Sequence, residues 1–289
     1  MSYTLTNNDL KRSSAILRIE GPDANSYLQG QFTQDLKLAA HGPIYGLWLD
    51  QKGKVLADSH IIRLEENAFL VVSLNVAAGV VARRLEAYLI ADEVELVDET
   101  ERWTNILYWG QSLPALSLPS GTQVFASRRA GPLAREFLVP ALQAGEVHEQ
   151  LRVISTEAPR EAAELSRLRA ALPAVPADIG PRDLPGEGAL DEAAISYTKG
   201  CYLGQEVIAR LKNLGQVRRA LHLVGGPGAP LAAGTPLYQG ERKAGEMRSA
   251  AADGTDFLGM AMLSLVGLDP TAPLGVAPGG SELKIVRRV

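Results

Sequence analysis

The chain has a single cysteine among 289 residues. That excludes an intramolecular disulfide and any Cys-x-x-Cys redox pair, and it suits a reducing cytoplasm. A structural zinc site needs four clustered ligands. Here one thiolate is joined only by the dispersed His41, His60, His148 and His222, which read as surface or satisfied core residues. One thiolate cannot by itself hold a conventional [4Fe–4S] cluster, so no resident metal is expected. Long apolar runs are also missing, since charge interrupts every stretch before membrane-spanning length. The start, Met1-Ser2-Tyr3-Thr4-Leu5-Thr6-Asn7-Asn8-Asp9, lacks the basic and apolar regions of a signal peptide. The formal net charge of −4 excludes a global basic field. Lys199, Arg210, Lys212, Arg218 and Arg219 read as a solvated helix face. Gly53-Lys54 is followed by Val55 rather than Ser or Thr, so there is no phosphate loop. Neither a dinucleotide fingerprint nor a Gly-x-Ser-x-Gly elbow is present. The expectation is a cytoplasmic protein without direct nucleic-acid or membrane partners.

What the chain does have is apolar content, 46%, enough for two or three compact units. Alternation predicts a strand over 15–20, ended by Gly21-Pro22, with Asp23 capping a short helix that carries Tyr27 and Leu28. Strands over 44–49, 54–64 and 68–74, joined by short polar turns, predict an antiparallel meander. The period then changes: Val76, Val80, Val81, Leu85 and Leu89 predict a helix over 76–90 with Asn75 as N-cap. Short strands are expected at 94–97, 105–109 and 136–139, giving an α+β body with a ferredoxin-like subdomain at roughly 45–155. A helical pattern over 159–172 ends at Pro173. Pro176, Pro181 and Pro185 then predict an irregular, surface-running loop of the kind that carries function. From Gln216, strand signals at 219–224, 235–239, 257–262 and 282–286 alternate with Gly/Pro turns. They predict a small β-barrel over 216–289, behind a main body over 1–215.

The richest segment is Lys199-Gly200-Cys201-Tyr202-Leu203-Gly204-Gln205-Glu206, which sets the lone cysteine just before a predicted helix. Val207, Ile208, Leu211 and Leu214 recur at helical spacing, and Gly215 supplies the stop. Unpaired N–H groups at the helix start, and a nearby Lys199, would activate the sulfur. The alternative is that Cys201 is a small buried hydrophobe.

This octapeptide, continued by Val207-Ile208-Ala209-Arg210 and Leu214-Gly215, resembles the signature of the YgfZ family, Lys-Gly-Cys-Tyr/Phe-x-Gly-Gln-Glu, at every position. That family comprises folate-binding relatives of the glycine-cleavage T-protein, an aminomethyltransferase, and its mitochondrial cousins serve iron–sulfur protein maturation. Further resemblance lies in Gly21-Pro22-Asp23-Ala24 with Tyr27-Leu28-Gln29-Gly30-Gln31, Thr33 and Asp35. It continues in Leu49-Asp50-Gln51-Lys52-Gly53-Lys54-Val55, and in Pro173, Pro185, Glu187 and Leu190. The match runs from about Leu17 to about Leu223. It implies a T-protein-like, folate-binding fold and a tetrahydrofolate-dependent factor for assembly or repair of iron–sulfur clusters in client proteins, with an indirect effect on tRNA modification. The implied partners are folate and iron–sulfur client or assembly proteins.

Cys201 would be the reactive centre, as a transient ligand, a nucleophile or a shield for an exposed intermediate. Lys199 and Arg210 would tune its charge, Gly200 and Gly204 would shape its turn, and Tyr202, Gln205 and Glu206 would support it. A pterin presents N–H donors that a carboxylate can accept. Glu187, in a Pro-x-Glu-x-x-Leu pattern, Asp35 and Gln31 are the candidate cofactor contacts. Glu187 and Asp35 read equally as a loop acid and a cap. Two departures weigh against a working glycine-cleavage enzyme. The family's Asp-Asp pair reads Ala57-Asp58 here, and an acid often found before Pro173 is Arg169. The rival readings are a folate-dependent one-carbon or aminomethyl transferase, and an interaction module with a vestigial cavity.

Overall fold

The computed structural model describes residues 1–5, 14–110, 112–215 and 217–289 and contains three five-stranded sheets. Residues 6–9 of the N-terminal segment, and the expected domain boundary Gln216, lie outside the described residues. The second sheet contains β1 (Ser2–Leu5), and the first comprises β2 (Ala15–Glu20), β3 (Ile44–Leu49), β4 (Val55–Glu65), β5 (Ala68–Ser73) and β6 (Glu95–Asp98). Order in the first sheet is β3-β4-β5-β2-β6, and β3, β4 and β5 form the expected meander. The pleat sends alternate residues to opposite faces. Ala57 and Ile61 pack against helices α1 (Ala24–Gln31) and α2 (Ala78–Glu86), while Ile62 meets Phe125 and Leu138 of the second sheet.

Both expected caps are corrected. Asp23 makes no cap bond, because its carboxylate accepts instead from the Glu93 N–H at 2.9 Å. Helix α2 begins after Ala77 rather than Asn75, and Asn75 turns to a cavity wall described below.

The second sheet is completed by β7 (Trp103–Trp109), β8 (Gln123–Ala126), β9 (Arg135–Pro140) and β10 (Thr156–Glu157), with α3 (Ala144–Ile154) packed on it through Val147 and Leu151. The stretch 45–155 is therefore divided between two sheets rather than forming one ferredoxin-like unit. The reason is that β1 and β2, from its N-terminal side, each pair on both sides within one of the two sheets.

The third sheet has the order β12-β13-β14-β11-β15, from β11 (Arg219–Pro227), β12 (Pro236–Gln239), β13 (Arg242–Asp253), β14 (Asp256–Ser264) and β15 (Lys284–Arg288). It is not the expected closed barrel, since no ladder among the described residues joins β12 to β15; isolated bridges at Tyr238–Gly275 and Leu274–Leu283 span the gap between the two edges. One face is buried against other layers: Ala251, Met260 and Met262 pack on Leu168 of α4 (Arg160–Arg169) and on Val175.

The proline-rich loop runs only partly at the surface, where Pro176, Ala177, Pro181 and Arg182 are exposed. Val175, Ile179 and Leu190 are wholly buried between α4 and the third sheet. Its buried acids are satisfied: Asp178 accepts from the Ala174 N–H at 2.8 Å, and Asp183 accepts from the Gly180 N–H at 2.9 Å. The short α5 (Asp191–Ala194) follows, and then α6 (Gln205–Leu214), stopped at Gly215 as expected.

Helix α6 seats its start on the β3–β4 turn through two glycines. Gly204, the N-cap, has φ +86°, and a Cβ there would lie 2.7 Å from the Asp50 carbonyl oxygen. Gly53, at φ +71°, faces the Val207 and Ile208 side chains. Gly204→Ala should therefore destabilise the protein by about 1–3 kcal/mol, from backbone strain and forced separation of turn and helix. Urea unfolding measures this, and a loss within error of zero would show that the seat is not tight.

Candidate functional site

Two places carry the candidate chemistry, and they share no residue. The first is the cysteine segment. Cys201 is exposed, which removes the reading of it as a buried hydrophobe. It lies three residues ahead of the Gly204 N-cap, on a loop fixed at both ends. Tyr202, its neighbour, is buried in the core beside Leu47 and Ile208, and burial pushes its hydroxyl well up. Leu203 donates its N–H to the Gly30 carbonyl at 3.1 Å. Gly200, Glu206 and Arg210 are exposed and Gln205 is half-buried.

The Lys199 ammonium is buried and donates to the carbonyls of Gln29 and Phe32 at 2.6 Å and of Gln34 at 3.1 Å. Burial brings its pKa down to about 8, with Asp35 opposing. Its hydrogen bonds are thus directed at α1 rather than at the sulfur.

The three expected cofactor contacts have other occupations. Gln31 accepts from Arg84 at 2.9 Å, and Arg84 also donates to the Leu49 carbonyl at 3.0 Å. Asp35 accepts from the Lys37 N–H at 3.1 Å and from Gln29 at 3.0 Å, as a cap for the short helical turn Leu36–Ala40. Glu187 is buried and accepts from both Nε and Nη2 of Arg219, at 2.8 and 3.1 Å, and from the Leu184 N–H at 2.8 Å. Gln31 and Lys199 are brought together at the end of α1. Glu187 belongs to an ion network under the third sheet, with Asp183, Arg219 and Arg248. None of Gln31, Asp35 and Glu187 lines the cavity that follows.

That cavity, of about 790 Å³, opens where the three sheets meet. Asp58 reaches it from the first sheet, Leu107, Arg128 and Arg129 from the second, and Ala250 to Ala252 from the third. Helix α4 and the 173–177 stretch close the remaining side. The size suits an organic ligand held among apolar walls with a few placed polar groups.

Part of the charge here is already paired. Arg129 holds Glu136 through two bonds, at 2.8 and 2.7 Å. Arg167 holds Glu164 at 2.8 and 2.5 Å and Asp178 at 2.7 Å. Asp58 differs: among the described residues it joins no ion pair and accepts only the Tyr45 hydroxyl, at 2.9 Å. The two are diagonal neighbours on β3 and β4, whose register places Leu47 opposite Asp58 and Tyr45 opposite His60.

Burial raises the Asp58 carboxyl to about 6, against the lowering effects of the Tyr45 hydroxyl and the Arg128 charge. Burial also holds His60 down to about 4, so its ring, tilted against Tyr45 and Phe125, is neutral near pH 7. Arg128 sits 4.9 Å above the Tyr45 ring, and its Nε is buried with no hydrogen-bond partner.

The two departures noted in the sequence take a different weight here. Ala57 points away from the cavity into the core between sheet and helices. Its missing carboxylate is therefore not missing from the cavity, where Asp58 remains. Arg169 is turned outward to Asp253, at 2.6 Å. Tyr45 and Arg128 were not visible as site residues in the sequence. The available signal was the register of a polar residue on each of two adjacent strands.

The chain and its fold have relatives. Residues 11–114 match the GCVT N-terminal domain. The mitochondrial iron–sulfur cluster assembly factor IBA57 homolog of Cryptococcus neoformans is 26% identical over 237 residues, covering 72% of this chain and 63% of that protein. The chain thus spans less than two thirds of that relative's length. The tRNA-modifying protein YgfZ of Vibrio vulnificus is 27% identical over 246 residues, covering 82% of this chain and 75% of that one. YgfZ of Escherichia coli is 28% identical over 238 residues, with 75% and 71% covered. The glycine cleavage system aminomethyltransferase T of Bartonella henselae superposes with a TM-score of 0.80 at 19% identity, over 98% of this chain and 84% of that one, which establishes the fold. The chain is thus similar to the YgfZ and IBA57 proteins, has the fold of the aminomethyltransferase T, and matches the GCVT N-terminal domain over residues 11–114.

Proposed function

We propose that the protein is a cytoplasmic, tetrahydrofolate-binding factor that assists assembly or repair of iron–sulfur clusters in client proteins, and so affects tRNA modification indirectly. No helix among the described residues is long and apolar enough to cross a membrane. The observation that carries the reading is the cavity between the three sheets, with half-buried Asp58 as its one lining carboxylate, among the described residues, that is neither exposed nor in an ion pair. An aminopyrimidine offers adjacent N–H donors, and an ionised carboxylate without a guanidinium partner is the group that accepts them. Tyr45 orients that carboxylate, and Arg128 supplies an unpartnered N–H and a positive charge beside it. Bound folate would supply one-carbon chemistry; the chain's own residues hold it and screen it from water. Cys201, exposed beside buried Tyr202, presents a sulfur to clients. A single thiolate serves a transient role there rather than resident cluster binding.

A folate-dependent one-carbon or aminomethyl transferase is the second reading, favoured by the retention of Asp58 at the cavity wall. Stoichiometric conversion of an amine with 5,10-methylene-tetrahydrofolate would select it.

Tetrahydrofolate at about 100 times its dissociation constant should stabilise the fold by about 2.7 kcal/mol, read as a rise of several degrees in melting temperature. No shift would refute the pocket.

Asp58 also sets a pH dependence. Its folded pKa, about 6, lies above the ordinary 3.8, so the ionised form is disfavoured in the empty protein. The contribution to stability is complete below the unfolded value and is lost as pH rises through about 6. Asp58→Asn should therefore stabilise the apo-protein at pH 8 and change little at pH 4. The same variant should abolish the folate shift, and wild-type affinity should fall as pH drops below about 6. Affinity that is flat from pH 5 to 8 would remove Asp58 from the site.

For the sulfur, Cys201→Ser should fold normally yet fail to restore cluster-enzyme activity in cells lacking the protein. Full rescue would show that the thiol is dispensable.

A further inference from the structure

Helix α1 ends with carbonyls that no helical N–H can reach, at the negative end of its dipole. A residue far away in the chain meets them. The Lys199 Nζ donates to Gln29 and Phe32 carbonyls at 2.6 Å and to Gln34 at 3.1 Å. An ammonium has three N–H donors, so all are engaged, and none is left for the sulfur two residues on. The other groups facing the ammonium are the Tyr202 ring, 5.3 Å from Nζ, and the Asp35 carboxylate, which is itself bonded to Gln29.

The same two segments are joined at further points. Leu203 N–H donates to Gly30 at 3.1 Å, Ser196 N–H to the Thr33 carbonyl at 3.0 Å, and the Thr33 hydroxyl to the Ala194 carbonyl at 2.7 Å. Cys201 is thus the exposed apex of a loop clamped before it by Lys199 and after it by Leu203.

The geometry points to Lys199 as a positioning residue, which pins the 199–203 loop to the end of α1 and thereby fixes where Cys201 is presented to a partner protein. This rests on the reading of Cys201 as the working sulfur, but the clamp itself is measurable without that reading. The role is one of shape as much as of charge. Three carbonyls converging on one nitrogen suit a tetrahedral ammonium, whereas a guanidinium spreads its donors in a plane. A methionine there leaves the carbonyls without their donor.

The test is amide hydrogen exchange on the full chain. In Lys199→Met, exchange at Leu203 should accelerate at least tenfold, while amides of the central strand β5 stay as protected as in wild type. Lys199→Arg should not restore protection, and neither variant should lose the tetrahydrofolate-induced thermal shift. Both should fail to restore cluster-enzyme activity in the deletion strain. Unchanged protection at Leu203 in Lys199→Met, or full rescue of protection and activity by Lys199→Arg, would overturn the proposal. Should Lys199→Met fail to fold, Lys199→Gln, which keeps an N–H donor, carries the test: Leu203 must exchange faster than in wild type, and equal rates overturn the clamp. Cys201→Ser separates the two readings. It should keep Leu203 protected, and if it also keeps activity, the role of the sulfur fails while the clamp stands.

Discussion

The buried guanidinium of Arg167 is the interaction on which the centre of the molecule depends. Only 2% exposed, it binds Glu164 on its own helix, Asp178 in the proline-rich loop and Ser249 on β13, and it also donates to the Leu172 carbonyl. Ser249 in turn donates to Asp178 at 2.5 Å. One side chain therefore ties α4, the loop and the third sheet together, with every charge paired. Removing one member of such a buried set typically costs about 3–5 kcal/mol, because the remaining charges stay buried and unmet. The loop can be irregular and still be interior because these side chains satisfy its polar groups. The cavity keeps its far wall for the same reason.

A second constraint is the β3–β4 hairpin, which serves both candidate sites. Its strands carry Asp58 to the cavity and place Tyr45 in hydrogen-bond contact with it, while its turn receives the start of α6 at Gly53 and Gly204. Lys54 at the base of the turn donates to the Arg182 carbonyl at 3.0 Å, and Val55 N–H to the Asp183 carbonyl at 3.1 Å, which fixes the hairpin to the proline-rich loop as well. A chain that kept the cavity but lost this turn would lose the seat of the cysteine segment. The tight glycine contacts thus answer to two sites at once.

Much of this was legible in the sequence, for physical reasons that can be named. The meander was legible because short polar turns separate its three strands, and α6 because a glycine stands at each of its ends. Strand β13 was not: Ala250, Ala251 and Ala252, with Gly245 and scattered charges, carry no β-branched pattern. It forms because β12 and β14 pair on both of its sides. The barrel expectation met a sheet whose edge strands are linked only by isolated bridges, and strand count could not show that. At the sites, the octapeptide marked Cys201 as special, but sequence spacing could not show that the Lys199 ammonium crosses to α1. Glu187 matched a pattern while its carboxylate was already engaged by Arg219, a partner 32 residues away. Asp58 was seen as half of a depleted pair. Only the pleat of β4 shows that the absent half would have faced the core.

The separation of the two sites has a consequence for how such a protein can work. The cavity is walled by residues of three sheets, whereas Cys201 stands on an exposed loop. No residue belongs to both, so direct transfer from a bound folate to the sulfur has no shared wall through which to pass. Coupling between them must run through structure: from Asp58 and Tyr45 along β3 and β4 to the turn, and from the turn through Gly204 to the loop that Lys199 and Leu203 hold. Every link in that path is a close packing contact or a buried hydrogen bond. A rigid path of this kind favours a folate that stabilises the body carrying the sulfur over one consumed at the sulfur. That is the physical ground for preferring the assembly-factor reading to the transferase.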